Sequence, residues 1–361
     1  MTRSEAVGVG PRPGIRRRRQ ITKSVPSTIP DPPASLHQLC LNESPFGPLP
    51  AVSLALANSI MQTNRYPEFY PERLTELIAD RLGLATGSVA VGSGSVGVAL
   101  QLLQAVIEPG DAMVYGWRNF DAYPLLARMA GARPVEVPLR PDGRQDLDAM
   151  ASKLGPATKV MVLCNPHNPT GSLITSQELA AFLGKIPQNV VIILDEAYIE
   201  FARGPGVPDG LALLTDHPNL LVLRTFSKAY GLAALRVGYA LAGPGLIASV
   251  RSRQLPFGIN SYAFDAVKAS LEATAELRQR IDTVLAERDR LSYLLYLAGR
   301  PALPSNANFL WLAEPDLVEE CEAALAGVRV LARCYPGEGI RITVGDQDAN
   351  DAVVAGLCAK S

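Results

Sequence analysis

From Ser88 to about Gly243, short apolar runs alternate with segments of helical period. The runs Val89 to Gly92, Ala112 to Tyr115, Pro134 to Val137, Lys159 to Cys164, Val190 to Asp195, Asn219 to Arg224 and Val237 to Leu241 read as seven strands. Two of them, "KVMVLC" and "VVIILD", show little polar alternation, the pattern of strands covered on both faces. Between them the spacing predicts helices over Val96 to Ile107, Phe120 to Ala130 and Ser176 to Leu183, the last with Gln177 and Glu178 behind a Ser/Thr start. This alternation predicts an α/β fold with a mostly parallel sheet.

After about Ser252 the pattern changes. A long helical stretch, Ala275 to Ala298, carries many Arg and Glu, and strands at Asn308 to Leu312 and Ile340 to Val344 flank a helix near Leu317 to Ala326. That reads as a smaller α+β unit. Helical stretches at Ala51 to Met61 and Pro71 to Leu82 lead into the sheet.

With 361 residues, 48% hydrophobic and 19% charged, the chain can fill one large core or two that share an interface. A net charge of −1 supplies no broad field for nucleic acid or an anionic membrane. The basic run Arg16 to Arg19 is local, and its Pro/Gly-rich surroundings predict a solvated tail. No apolar stretch reaches the roughly 20 residues of a bilayer span, and no apolar segment follows the arginines as in a secretory signal, so a cytoplasmic protein is expected. Five cysteines without a CxxC read as reduced thiols. Three histidines, none at ligand spacing, predict no metal site and no Ser-His-Asp triad.

The stretch "VAVGSGSVGVAL" places Gly92, Gly94 and Gly97 between a strand and a helix. A dinucleotide site would need an acid at the end of the next strand, and "DAMVYGWR" has only Asp111, at its start. What remains is a helix N-terminus suited to a single phosphate, or a tight glycine turn with no ligand. Further on, "RTFSKAYGLAALRVGYAL" sets Lys228 on an irregular segment between two buried strands, with Arg236 eight residues later. A desolvated ammonium there is costly unless it is paired or covalently modified. A Schiff base with a carbonyl cofactor removes that difficulty, and such chemistry needs an anion at the pyridinium nitrogen, a stacking ring and a phosphate cup.

These motifs, together with "LNESPFGP", "NRYPE", "CNPHNPTG", "LDEAYIEF" and "GIRITVG", resemble those of class I/II, fold-type I PLP-dependent aminotransferases of the histidinol-phosphate aminotransferase-like subfamily, from about Leu41 to Val353. The tail expected from its composition takes in residues 1–35, and the resemblance implies an arm over residues 36–50 that covers the active site. It further implies a large PLP-binding domain over 51–252 with a mostly parallel seven-stranded sheet, and a small C-terminal domain over 253–361. It implies pyridoxal 5'-phosphate as cofactor, held by Lys228 as an aldimine that turns over through pyridoxamine phosphate. Asp195 would face the pyridine nitrogen, Tyr198 and Asn168 the phenolic oxygen, and Phe120 the ring. Gly94, Ser95, Val96, Ser227 and Arg236 would surround the phosphate, which Tyr66 would reach from the other subunit of a homodimer. Arg341 would grip an anionic group of the substrate, beside Asn42 and Glu43 of the arm. Two departures are Val96, where an acidic residue is frequent, and Ala234, where glycine is. His167 stands where asparagine is common and reads as a loop residue.

"VGSGSV", "GWRNFDAYP" and "FGPLP" look closer to the aromatic amino acid (phenylalanine) aminotransferase branch, which implies transfer from phenylalanine or tyrosine to 2-oxoglutarate. Histidinol phosphate is the alternative donor, because Arg341 could bind either an α-carboxylate or a phosphate. An NAD-dependent oxidoreductase would leave Lys228, Asp195 and Arg236 without a role.

Overall fold

The computed structural model describes residues 36–358; the tail with Arg16 to Arg19 lies outside them. The seven predicted strands all form, as β2 Val89–Ser93, β3 Ala112–Trp117, β4 Arg133–Pro138, β5 Thr158–Cys164, β6 Val191–Asp195, β7 Leu220–Thr225 and β8 Val237–Ala242. They make one sheet in the order β2-β8-β7-β6-β5-β3-β4, with β8 antiparallel to both neighbours and the other pairings parallel. This is the α/β architecture that the alternating pattern predicts.

Strands β5 and β6 lie at the centre, and Val160, Val162, Ile193 and Leu194 are fully buried. Val160, Val162 and Ile193 pack into the core on one face of the sheet, and Met161, Leu163 and Leu194 into that on the other. Burial on both faces is why these runs lack polar alternation. Truncating Ile193 to alanine would remove about 2–5 kcal/mol of stability.

A second, four-stranded sheet runs β1-β10-β11-β9, with β9 at Phe309–Leu312, β10 at Val330–Tyr335 and β11 at Gly339–Thr343. Its edge strand, β1 (His37–Leu39), pairs in parallel with β10, so the start of the arm is anchored there. Leu310, Leu312, Cys334, Ile340 and Ile342 share a core with Leu291 and Leu295 of the helix Thr274–Leu297, with Leu325 and with Val353. The helix Tyr262–Glu272 instead contributes Ala263, Ala266 and Val267 to the core beneath the large sheet.

The helix Ser176–Leu183 begins as its sequence suggests, but the cap is Thr175. Its hydroxyl accepts the Glu178 N–H while the Glu178 carboxylate accepts the Thr175 N–H. No helix among the described residues is long and apolar enough to cross a membrane.

Candidate active site

The C-terminal ends of parallel strands open toward one edge of a sheet, where ligands of α/β proteins bind. Here β2 leads into Gly94, β3 into Phe120, β5 into Asn168, β6 into Asp195 and Tyr198, and β7 into Ser227 and Lys228. Residues scattered over more than a hundred positions are thereby gathered.

Asp195 closes β6 and is 4% exposed. Its Oδ1 accepts the Ala197 N–H at 3.1 Å, and its Oδ2 accepts the Tyr123 hydroxyl. Burial pushes its carboxyl pKa up, opposed by those two bonds and by the Lys228 charge. Lys228 donates from Nζ to the Leu41 carbonyl at 2.9 Å and stands 5.9 Å from the Tyr198 ring centroid. Burial, followed by the Arg341 and Arg236 charges, lowers its pKa to about 8, against the opposing charges of Glu43 and Asp195. The shift leaves an appreciable neutral amine near pH 7, the form that attacks a carbonyl.

Arg341 lies on β11 between Ile340 and Ile342, which enter the core, and its own side chain turns to the other face. It is 6% exposed, donates to the Asn168 Oδ1 at 2.5 Å and to the Cys40 carbonyl at 2.6 Å, and keeps a buried Nε without a hydrogen-bond partner. The arm is fixed by the same group of residues. Asn42 donates from Nδ2 to the Tyr198 hydroxyl at 2.9 Å and from its backbone N–H to the Thr343 hydroxyl at 2.9 Å. The Asn42 carbonyl accepts from the Asn308 side chain at 3.1 Å. Asn42 has φ +54, a left-handed conformation that asparagine tolerates better than most residues.

At the other side of Lys228, Gly94 has φ +71 and donates its N–H to the Arg236 carbonyl at 2.9 Å. A Cβ at Gly94 would collide with the Arg236 guanidinium, which also donates to the Ser227 hydroxyl at 3.4 Å. The helix Gly94–Val106 has no side-chain cap on its first turn, so the N–H groups around Ser95 and Val96 and the helix dipole are available to an anion. Gly94, Ser227 and Arg236 therefore form a cradle lined with donors.

Phe120 is 36% exposed, and its ring meets that of Tyr123 edge-on at 6.0 Å. Tyr66, 85% exposed, packs against Phe257. Among the described residues, the Glu43 carboxylate and the Tyr66 and Phe120 side chains make no hydrogen bond to the other candidate residues. Glu43 lines a cavity of about 320 Å³ with Ser44, Phe46, Ser227 and Thr343. His167 is fully buried, with Nδ1 2.9 Å from the Thr170 hydroxyl, and burial depresses its pKa to about 3, so it is neutral. Sequence reading assigned no role to Tyr123, Thr343 or Asn308. Tyr123 stands in the quoted "GWRNFDAYP", but nothing local links it to Asp195, 72 positions away.

A family model described as "Aminotransferase class I and II" matches residues 35–357. The chain belongs to this family. Among its relatives, the aromatic amino acid aminotransferase of Streptomyces avermitilis is 43% identical over 334 residues, spanning 91% of this chain and 93% of that protein. The enzyme of the same name from Thermobifida fusca is 45% identical over 315 residues, 87% and 88% of the two chains. Among solved structures, histidinol-phosphate aminotransferase from Sinorhizobium meliloti, in complex with pyridoxal-5'-phosphate, is 29% identical with a TM-score of 0.82 over 90% of each chain. This aminotransferase is a pyridoxal phosphate enzyme of fold type I. The described residues fit that cofactor: a lysine with a lowered pKa, a buried carboxylate at the end of β6, and a cradle at the end of β2 that a Cβ at Gly94 would fill.

Proposed function

We propose that this aminotransferase moves the amino group of phenylalanine or tyrosine to 2-oxoglutarate, acting as a cytoplasmic homodimer. The observation that carries the reading is the convergence of Lys228, Tyr198 and Arg341 around the arm segment Cys40 to Asn42, with the buried Asp195 carboxylate close enough to Lys228 for their charges to interact. The aromatic choice is supported by relatives of that name at 43–45% identity over most of the chain. It is also supported by the aromatic rings Phe309 and Trp311, which alternate along β9 on the face that carries Arg341.

Bound pyridoxal phosphate supplies an electron sink for charge developing at the substrate Cα. Lys228 would hold the cofactor through Nζ, and its amine, with its lowered pKa, would be the base that takes the substrate Cα proton. Asp195, with both oxygens already oriented by Tyr123 and Ala197, faces the pyridine nitrogen and keeps its proton in place. Tyr198 and Asn168 flank the phenolic oxygen, and Phe120 covers the ring. Ser95, Val96, Ser227 and Arg236 donate to the phosphate, with Gly94 giving them room. Arg341 binds the substrate carboxylate, and the arm with Asn42 and Glu43 excludes water. Tyr66 reaches the phosphate of the partner subunit, which accounts for a large aromatic side chain left 85% exposed in the single chain. Residues 51–252 then form the cofactor-binding domain, and residues 253–361 a small domain that brings Arg341.

Steady-state assays with phenylalanine, tyrosine and histidinol phosphate, each with 2-oxoglutarate, test the donor. The expected order of kcat/KM is aromatic first; a histidinol phosphate preference overturns it. Sedimentation at micromolar concentration tests the dimer, which a monomeric active enzyme would refute.

A further inference from the structure

Arg333 and Arg341 are direct cross-strand partners on β10 and β11, so both side chains leave the same face of the small sheet. Their electrostatic settings differ. The two hydrogen-bond acceptors of Arg341, the Asn168 side chain and the Cys40 carbonyl, are neutral. Arg333 donates to the Asp121 carboxylate at 2.6 Å, and its guanidinium lies 5.2 Å from the Tyr335 ring centroid. Asp121 is also 3.6 Å from Arg118, whose Nε donates to Glu338 at 2.8 Å. Two arginines are thus matched by two carboxylates, while Arg341 keeps its charge for a ligand. Asp121 directly follows Phe120, so the turn that sets the ring also sets this carboxylate.

Resting on the aromatic reading above, we propose that the Asp121–Arg333 ion pair tunes donor choice: it neutralises the cation beside Arg341 and disfavours amino donors that carry a phosphate. A phosphate-bearing donor brings about two negative charges at neutral pH. To be met beside Arg341 it must draw Arg333 away from Asp121 and then face the released carboxylate. Discrimination then comes from an unfavourable charge against the wrong ligand as much as from contacts with the right one. An uncharged aromatic side chain disturbs neither partner.

The test uses holoenzyme, so that the cofactor's own phosphate fills the cradle at Gly94, and two non-reacting ligands that share a phenyl ring, 3-phenylpropionate and 3-phenylpropyl phosphate. Their inhibition constants are measured for wild type, Asp121→Asn, Arg333→Gln and the double variant. Asp121→Asn is expected to tighten the phosphate ligand about tenfold or more relative to the carboxylate ligand, the scale of one charge-assisted bond gained. The double variant should lose that gain, and Arg333→Gln alone should weaken the phosphate ligand at least threefold, because Asp121 loses its closer cation and keeps only Arg118, at 3.6 Å. An unchanged ratio in Asp121→Asn, or a gain that survives in the double variant, overturns the proposal. Wild-type turnover of phenylalanine and histidinol phosphate, measured on the same preparations, judges the aromatic reading separately, because these ligand ratios do not depend on which donor wild type prefers.

Discussion

Gly94→Ala separates the cradle from ordinary backbone strain. Gly94 and Gly83 both have left-handed backbones, at φ +71 and +67. An alanine in that region costs about 1–2 kcal/mol at either position. Around Gly83, at the end of the helix Glu72–Leu82, nothing lies within 4 Å of an added Cβ, so Gly83→Ala measures the strain alone. At Gly94 the added methyl runs into the Arg236 guanidinium, whose Cζ would be 3.1 Å away, and the arginine must move. If Arg236 is a phosphate ligand, its displacement forfeits charge-assisted bonds worth about 1.5–3 kcal/mol. That is a loss of roughly 10–100-fold in cofactor affinity. Both apo variants are titrated with pyridoxal phosphate, following the quenching of tryptophan fluorescence, and their thermal unfolding is recorded. Similar destabilisation is expected, with affinity lost only in Gly94→Ala. Cofactor binding by Gly94→Ala within threefold of Gly83→Ala would refute the placement of the phosphate against Gly94 and Arg236.

Lys228→Ala is expected to abolish transamination and borohydride-trappable cofactor while still binding pyridoxal phosphate reversibly, checked by dialysis and intact mass. The lowered pKa of Lys228 gives a pH signature in the apoenzyme. Between about pH 8 and the ordinary 10.5 the unfolded chain binds more protons than the native one, so stability rises with pH there. Urea unfolding should show wild type gaining on the order of 1–3 kcal/mol over Lys228→Met between pH 7.5 and 10, with the full penalty present below pH 8. A parallel pH dependence of the two proteins would contradict the burial of that amine. Tyr123→Phe removes the donor to Asp195 Oδ2, so a loss of about 1–3 kcal/mol in thermal stability and weaker cofactor binding are expected. Unchanged values in both would mean that the hydroxyl does not support the carboxylate.

The large sheet was legible because its strands are buried on both faces and its site residues sit directly at strand ends. Lys228, Asp195 and the glycine turn were brought together in the sequence by the resemblance of their motifs to the family. Strands β1 and β10 were not read. "HQL" is too short to show a period, and "VLARCY" mixes Arg333 with apolar residues because its two faces meet different surroundings: Cys334 enters the core while Arg333 meets Asp121. The polar contacts that fix the arm are tertiary in the same way. Asn42 and Thr343 are 301 positions apart, and neither residue type carries a signal of its partner. Capping was easier to see than to place, since Thr175 and Ser176 are adjacent candidates and only the Glu178 contacts choose between them.

A single-turnover titration of the holoenzyme with phenylalanine and, separately, histidinol phosphate, without keto acid and following the cofactor's absorbance, tests both the Lys228 chemistry and the aromatic donor most directly. Faster conversion at lower concentration is expected with phenylalanine, and none with either donor in Lys228→Ala. Faster conversion with histidinol phosphate would contradict the aromatic assignment, and turnover in the absence of Lys228 would contradict its central chemistry.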